Sequence, residues 1–426
     1  MKKFHNKKLL VLGSNAGSTD IVRYARDNGA YTIVADYLEP AKSPAKLIAD
    51  ENVLISTAAT EELDKLIKQK HIDGVLAGIS EFNLLQAMNL SQLNGLRFYC
   101  NKEQWDTIEN KEYFRKLCLQ HHIPCPQTYY MGDGDDIKEE FPFPLIVKPV
   151  DSSSSIGITI CKDQTNFQQA IREAKESSSV HRIIIEDYFD GNEFSAHYSI
   201  ANGKAKLVCI DNRYPAAVNE GMVTTIPIAR VYPSSFIDEY IEQVDTNMKH
   251  LCESLHLESG VLFIQGLYNR QKNKFCVFEA GLRCAGEVPY RFIEKINGVN
   301  FMHNLIDYTL LGKSEGYDIM KEDPYMKGKI CGTVSFATKG GVVGKILNLE
   351  ESVKAIPDVI EYECRYKEGA ETPSGNTLRQ LMLRFVIVSN NKDVFKKNIH
   401  YLNHHIQVLD NQGHEMCIRF DENLLF

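Results

Sequence analysis

Short apolar runs alternate with amphipathic stretches over residues 8–100. KLLVLG, YTIVADY and GVLAG read as buried strands, and the segments 20–28, 61–70 and the one after GVLAG carry apolar residues at helical spacing. This alternation predicts a parallel sheet, because each parallel connection needs a crossover long enough to hold a helix. Near residue 110 the pattern changes. KEYFRKLCLQHH, from Lys111, reads as a helix stopped by IPCP, after which FPFPLIVKPV enters a buried strand. Residues 180–279 then predict strand, loop, strand, a long helix over 234–255, and two strands, VLFIQGLYN and KFCVFEA, joined by the polar turn RQKN. After a helix over 301–311 come the strands CGTVSFAT and LRQLMLRFVIVS around a glycine-rich GGVVG turn, and a helix over 393–403. The expected fold class is α/β and α+β. It has a parallel α/β domain (1–105), a central two-lobed α+β domain (106–325, one lobe at about 125–190) and a small strand-rich domain (326–426).

The chain's 426 residues exceed one ordinary core, which supports this division. With 43% hydrophobic and 24% charged residues, and no apolar run near the roughly 20 residues of a bilayer span, a membrane protein is not expected. The basic start followed by a short apolar run reads as a first strand, not a signal peptide. Eleven cysteines without CxxC or zinc-finger spacing fit reduced thiols of a cytoplasmic protein. A net charge of -8 argues against a nucleic-acid partner, so anionic substrates would need local basic residues.

Gly13-Ser14-Asn15-Ala16-Gly17-Ser18 follows the first strand and opens a helix, with Asp36 ending the next strand where a dinucleotide fold places its ribose acid. The GxGxxG spacing is missing. A nucleotide loop, a substrate loop and a plain structural turn all remain open. Lys148 followed by Ser152, Ser153, Ser154, Ser155 and Gly157 is more telling: small residues can wrap a polyphosphate while a lysine at the strand end supplies charge. A serine-rich surface hairpin is the alternative. Further on, an apolar strand runs into Glu186, Asp187, Tyr188 and Phe189, then Glu193, a hinge that could offer backbone groups to a base and an acid to ribose hydroxyls. Gln265 and Glu279 end facing strands with oxygen donors suited to magnesium, followed by Arg283; an exposed ion pair is the alternative.

Taken in order, NKEYFRKLCLQHHIPCPQT, VKPVDSSSSIG, EDYFDGNE and VFEAGLRCAGE resemble the ATP-grasp superfamily, closest in character to its carbamoyl-phosphate-synthase-like and L-amino-acid-ligase-like members. The resemblance implies an N-terminal Rossmann-like domain before a central ATP-grasp domain, with ATP and magnesium or manganese as cofactors. It implies ADP-forming ligation of a small-molecule carboxylate to an amine, and a homodimer is a common arrangement in the family. It implies nucleotide contacts from Lys111 and Lys148, a lid at Ser152–Ser155 and Gly157, an adenine hinge at Glu186, Asp187, Tyr188 and Phe189, and ribose binding by Glu193. Glu279 with Gln265 would hold the metal, and Lys148 and Arg283 would be catalytic. Two positions depart from the family: Gln265 where an acid is usual, and Gly281 where an asparagine is usual. They leave open an ATP-binding regulatory protein or pseudoenzyme with a weakened magnesium site. A dehydrogenase and a kinase-like transferase are further rivals. Residues 211–227, with Arg213 and Tyr214, could shape the acceptor pocket, whereas His197 and His303 read as packed or surface residues.

Overall fold

The computed structural model describes residues 2–135, 137, 140–151, 156–216, 226–375 and 377–425. Its N-terminal sheet is parallel, in the order Glu51–Val53, Tyr31–Ala35, Lys8–Leu12, Gly74–Ala77. The last three strands are almost wholly buried, since helices cover both faces, and this is why they are continuous apolar runs. Glu51–Val53 went unread because a half-exposed three-residue edge strand carries no pattern. The first helix spans Ala16–Asp27, beginning before the amphipathic stretch: Asn15 accepts the Ser18 N–H and caps a turn made of small residues.

Two antiparallel sheets follow. One has the order Thr128–Gly132, Ile183–Asp187, Leu145–Pro149, Thr159–Cys161. The helix Phe167–Ser177 lays Phe167, Ala170, Ile171 and Ala174 on it, giving this lobe a small core of its own with Leu145, Val147, Ile183 and Ile185. The other has the order Lys204–Ile210, Asn192–Ala201, Ser259–Asn269, Lys274–Gly281, and shares one continuous apolar core with the N-terminal sheet. The helix expected over 234–255 is built as Ile237–Tyr240, a wider π turn at Ile241–Asp245, and Thr246–Ser254. The π turn carries Asp245, which accepts the buried Tyr198 hydroxyl at 2.9 Å.

A third sheet runs Asn212–Pro215, Pro227–Tyr232, Ile330–Thr338, Leu381–Ser389, Val359–Cys364, with Cys417–Ile418 paired to Ile330–Thr338. It is therefore not confined to residues 326–426, because its first two strands come from the central region. The glycine-rich GGVVG segment corrects the sequence reading. Only Gly340 and Gly341, at φ +97° and +111°, make the turn, and Gly341–Leu347 is a strand paired with Gln407–Asp410. Gly344 lies within that strand because any side chain there would run into the Asp410 carbonyl. The fold class is thus α/β plus α+β. Among the described residues no helix is long and apolar enough to cross a membrane.

One buried acid gives a stability test. Glu322 is 2% exposed and accepts the Tyr317 hydroxyl at 2.6 Å and the Asn297 amide at 3.2 Å. Burial pushes its carboxyl up to about 7, against those two hydrogen bonds. The folded chain therefore favours the protonated form, so this stabilisation is full below the ordinary carboxylate range and is lost as pH rises through about 7. Glu322→Gln keeps the neutral shape, with Asn297 able to turn its amide over. The variant and wild type should melt alike near pH 4, with the variant more stable by on the order of 1–3 kcal/mol at pH 8. Parallel melting curves across that range would contradict the account.

Candidate functional site

The cleft between the two antiparallel sheets is organised by a buried charge cluster. Lys148 and Glu186 lie on adjacent strands in a register that pairs Lys148 with Ile184 and Ile146 with Glu186, so they are diagonal neighbours on one face. They form an ion pair, and Arg115 Nη2 holds the other Glu186 oxygen at 2.9 Å. All three side chains are under a tenth exposed. Arg115 also donates to the Val277 carbonyl on the opposite sheet at 3.3 Å, so the cluster ties the lobes together. Lys111 and Arg115 are one helical turn apart, hence on one helix face. Burial lowers the Lys111 ammonium, opposed first by Glu279, with Lys148 lowering it further and Glu186 and Asp151 raising it. The structure thus brings together Lys111, Lys148, Glu186 and Glu279, which are far apart in sequence.

Several expected roles need revision or lie out of reach. Glu186 is not an open hinge acid but the buried counter-ion of Lys148 and Arg115. The Asp187 N–H donates to the Gln127 carbonyl and the Tyr188 N–H to the Pro144 carbonyl. The Asp187 carboxylate accepts the Gln127 N–H. The Asp187 and Tyr188 amides of the hinge are therefore spent within its own lobe. Tyr188 and Phe189 still border a cleft of about 350 Å³ with Pro124, Cys125 and Lys274. Glu193 carries a partner unseen in the sequence, an ion pair with Arg213. Ser152, Ser153, Ser154 and Ser155 lie outside the described residues, as do 217–225 of the 211–227 segment. Gly157 closes the serine loop at φ +72°, where a Cβ would come within 2.6 Å of Ser177.

Gln265 and Glu279 are cross-strand partners, half-buried side by side, and the next pair on that face is Phe263 with Gly281. The Arg283 guanidinium lies 5.3 Å over the Phe263 ring, with Nε 3.9 Å from Glu81. Sequence reasoning missed Glu109, the last residue of the helix Lys102–Glu109. Its Oε1 accepts the Leu282 N–H at 3.1 Å and lies 2.9 Å from where a Cβ on Gly281 would stand. The glycine thus makes room for a carboxyl group from another element. Burial, then the nearby Glu81, push the Glu109 carboxyl up to about 8, with Arg283 opposing and Glu279 adding to the rise. Half-buried oxygen donors whose negative charge is so poorly offset fit a hard divalent cation.

On the neighbouring strand Pro227–Tyr232, Arg230 is 4% exposed, donates to Asp211 at 2.8 Å and Ser195 Oγ at 2.7 Å, and forms an ion pair with Glu287 at 2.9 Å. Arg213 is its cross-strand neighbour, pushed down to about 9 by burial and then by Arg230. His197 is fully buried, 3.5 Å from Cys209 Sγ, and burial holds it down to about 3, so it stays neutral as a packed residue. Arg230 had one signal in the sequence, a lone charge inside the apolar run IPIARVY. The first glycine loop is satisfied internally: Ser14 Oγ accepts the Ala45 N–H, and Asp36 accepts the Leu38 N–H within its own turn.

Residues 141–289 match the family model of the ATP-grasp domain. The chain is 23% identical over 352 residues to the carbamoyl phosphate synthase large chain of Clostridium beijerinckii, covering 76% of this chain and 31% of that protein. It is 26% identical over 193 residues to a formate-dependent phosphoribosylglycinamide formyltransferase of Prochlorococcus marinus, covering 44% of this chain and 49% of that protein. The chain thus spans 31% and 49% of these two curated relatives. Its fold is like that of an L-amino acid ligase from Bacillus licheniformis (TM-score 0.76, 17% identity, 95% and 99% of the two chains). It is also like that of a phosphoribosylglycinamide synthetase from Anaerococcus prevotii (TM-score 0.75, 16% identity, 95% and 99%).

The charge cluster gives a second test. Glu186→Ala leaves two buried cations without their counter-ion and should cost about 3–5 kcal/mol, whereas Lys148→Met leaves Glu186 paired with Arg115 and should cost much less. Urea unfolding measures both. Equal losses would show that the triad does not carry the link between the lobes.

Proposed function

We propose, starting from an ATP-grasp domain over residues 141–289, that the chain is an ADP-forming ligase joining a small-molecule carboxylate to an amine. The observation that carries this reading is the convergence of Lys111 and Lys148 with Glu279 between two sheets, the charge pattern a triphosphate and its cation require. Gln265 and Glu279 would hold the divalent cation, joined by the Glu109 carboxylate. When bound, that ion neutralises charge on the phosphate oxygens. Lys148 and Lys111 orient the polyphosphate as point charges. Arg283 faces the reacting end and steadies charge on the transferring phosphoryl group.

In the first step a substrate carboxylate oxygen bonds to the γ-phosphorus while the bond to the β-phosphate oxygen breaks, releasing ADP and leaving an acyl phosphate. In the second, an amine nitrogen bonds to the acyl carbon, phosphate departs with the electrons of the C–O bond, and the nitrogen loses a proton. Water must be kept out between the steps, and the serine loop closed by Gly157 is the element suited to cover the phosphates. The partners under this reading are small molecules.

Release of ADP and phosphate from ATP with magnesium, over a panel of carboxylates and amines, tests the proposal. Turnover should require both substrate types. It should fall by about 10²-fold or more in Lys148→Ala and in Arg283→Ala, the scale on which single charge-stabilising groups act. ATP binding without turnover on any pair would favour a regulatory nucleotide binder, and no ATP binding would overturn the proposal.

A further inference from the structure

The structure assigns a second cation site, far in sequence from the nucleotide cleft, to His400, His404 and Glu422. We propose that these three side chains bind a borderline divalent transition metal such as Zn²⁺. His400 and His404 are one turn apart on the helix Lys392–His405, which puts both rings on one face, with centroids 3.9 Å apart. Glu422 comes from a separate element, the 3₁₀ turn Glu422–Leu424, which packs beside that helix. One donor atom from each of the three lies within 4.8 Å of the others. That compass suits two imidazoles and a carboxylate around one ion, with water in the fourth position of a tetrahedral site.

The donors are already oriented. His404 Nδ1 lies 2.8 Å from the His400 carbonyl oxygen, which can only accept, so Nδ1 carries the proton and Nε2 keeps its lone pair. This is the arrangement by which backbone carbonyls fix metal-binding imidazoles. His400 Nδ1 and Glu422 Oε1 are 2.6 Å apart and share a proton that a metal can replace. The second Glu422 oxygen accepts the Asn403 amide at 3.0 Å, and the same amide donates to the Phe420 carbonyl at 2.8 Å. The carboxylate is thus 11% exposed and held in place, while His400 remains open to solvent at 60%. Two imidazole nitrogens favour Zn²⁺, Ni²⁺ or Cu²⁺ over magnesium, which prefers oxygen. Such an ion would fasten the segment 417–425 to the helix, adding to the bonds from Asn403 and Arg419.

The test uses the full chain without an affinity tag, in millimolar Mg²⁺ so that oxygen-donor sites are filled. Zn²⁺ titrated by calorimetry should bind one ion per chain, and Co²⁺ in its place should give visible bands of a nitrogen-ligated tetrahedral ion. His400→Ala/His404→Ala should weaken Zn²⁺ by at least about tenfold, and Glu422→Gln by a similar factor. His405→Ala should change nothing, because that ring turns away onto the Tyr401 carbonyl. Zn²⁺ should also slow amide exchange in residues 417–425. Unchanged affinity in the double variant, an equal loss in His405→Ala, or binding without protection of 417–425 would overturn the assignment.

Discussion

Three buried charges, Arg115, Lys148 and Glu186, hold the two lobes in register, and the site depends on how that arrangement is balanced. Taking ions out of water costs several kcal/mol each, so a carboxylate in this position survives only with its oxygens engaged. Glu186 satisfies one oxygen with Lys148 and the other with Arg115. One carboxylate cannot neutralise two cations, and Lys111 on the same helix face as Arg115 adds a third. Glu279 across the cleft and Asp151 are the further acids acting on Lys111. Three cations therefore gather against Glu186, Glu279 and Asp151 between the sheets. A net charge of -8 over the whole chain makes this local gathering of cations more selective, since the chain as a whole does not attract polyanions.

At the other end of the cleft carboxylates predominate. Glu81 and Glu279 both act on Glu109 there, with Arg283 as the opposing cation. A polyphosphate running from the lysines toward this end would pass from a group of cations to a group of carboxylates. A divalent cation at the junction reconciles the two. Gly281 matters for this reason: with no side chain, it lets Glu109 from a different helix reach the strand and supply a carboxyl where a local asparagine could have stood. The departure from the family pattern is thus accompanied by a carboxyl group from outside the motif.

Features legible in the sequence were those encoded locally. The apolar runs of the parallel sheet, the hairpin Ser259–Asn269 with Lys274–Gly281, and the helix at Lys111 follow from periodicity and breakers within a short window. Lys148, Glu279 and Arg283 were legible because they terminate strands beside recognisable turns. Long-range pairings were not legible. Nothing near Glu186 says that its carboxylate faces inward to Arg115, 71 residues away, and nothing near Glu109 points to Leu282, 173 residues away. The strands Asn212–Pro215 and Pro227–Tyr232 look like part of the central region in sequence, yet they pair into the sheet of the C-terminal part. Pairing of that kind is a tertiary decision that local pattern does not record.

The separation of cores bears on how such a site could open and close. The lobe carrying Lys148 and the serine loop has a small apolar core of its own, centred on Leu145, Val147, Phe167, Ile171 and Ile183, while the sheet carrying Glu279 shares its core with the N-terminal domain. A lobe with a private core can rotate without unpacking either neighbour, and its energetic link to the rest is then mainly polar. Arg115 is the natural pivot for such a rotation, because it bonds both Glu186 on the lobe with its own core and the Val277 carbonyl on the facing sheet. Ionic contacts at a pivot tolerate small rotations better than interdigitated side chains do, since a guanidinium fork can exchange partners while packed apolar groups must separate. The same cluster can therefore set the register of the lobes and permit the closure that the proposed acyl phosphate would require.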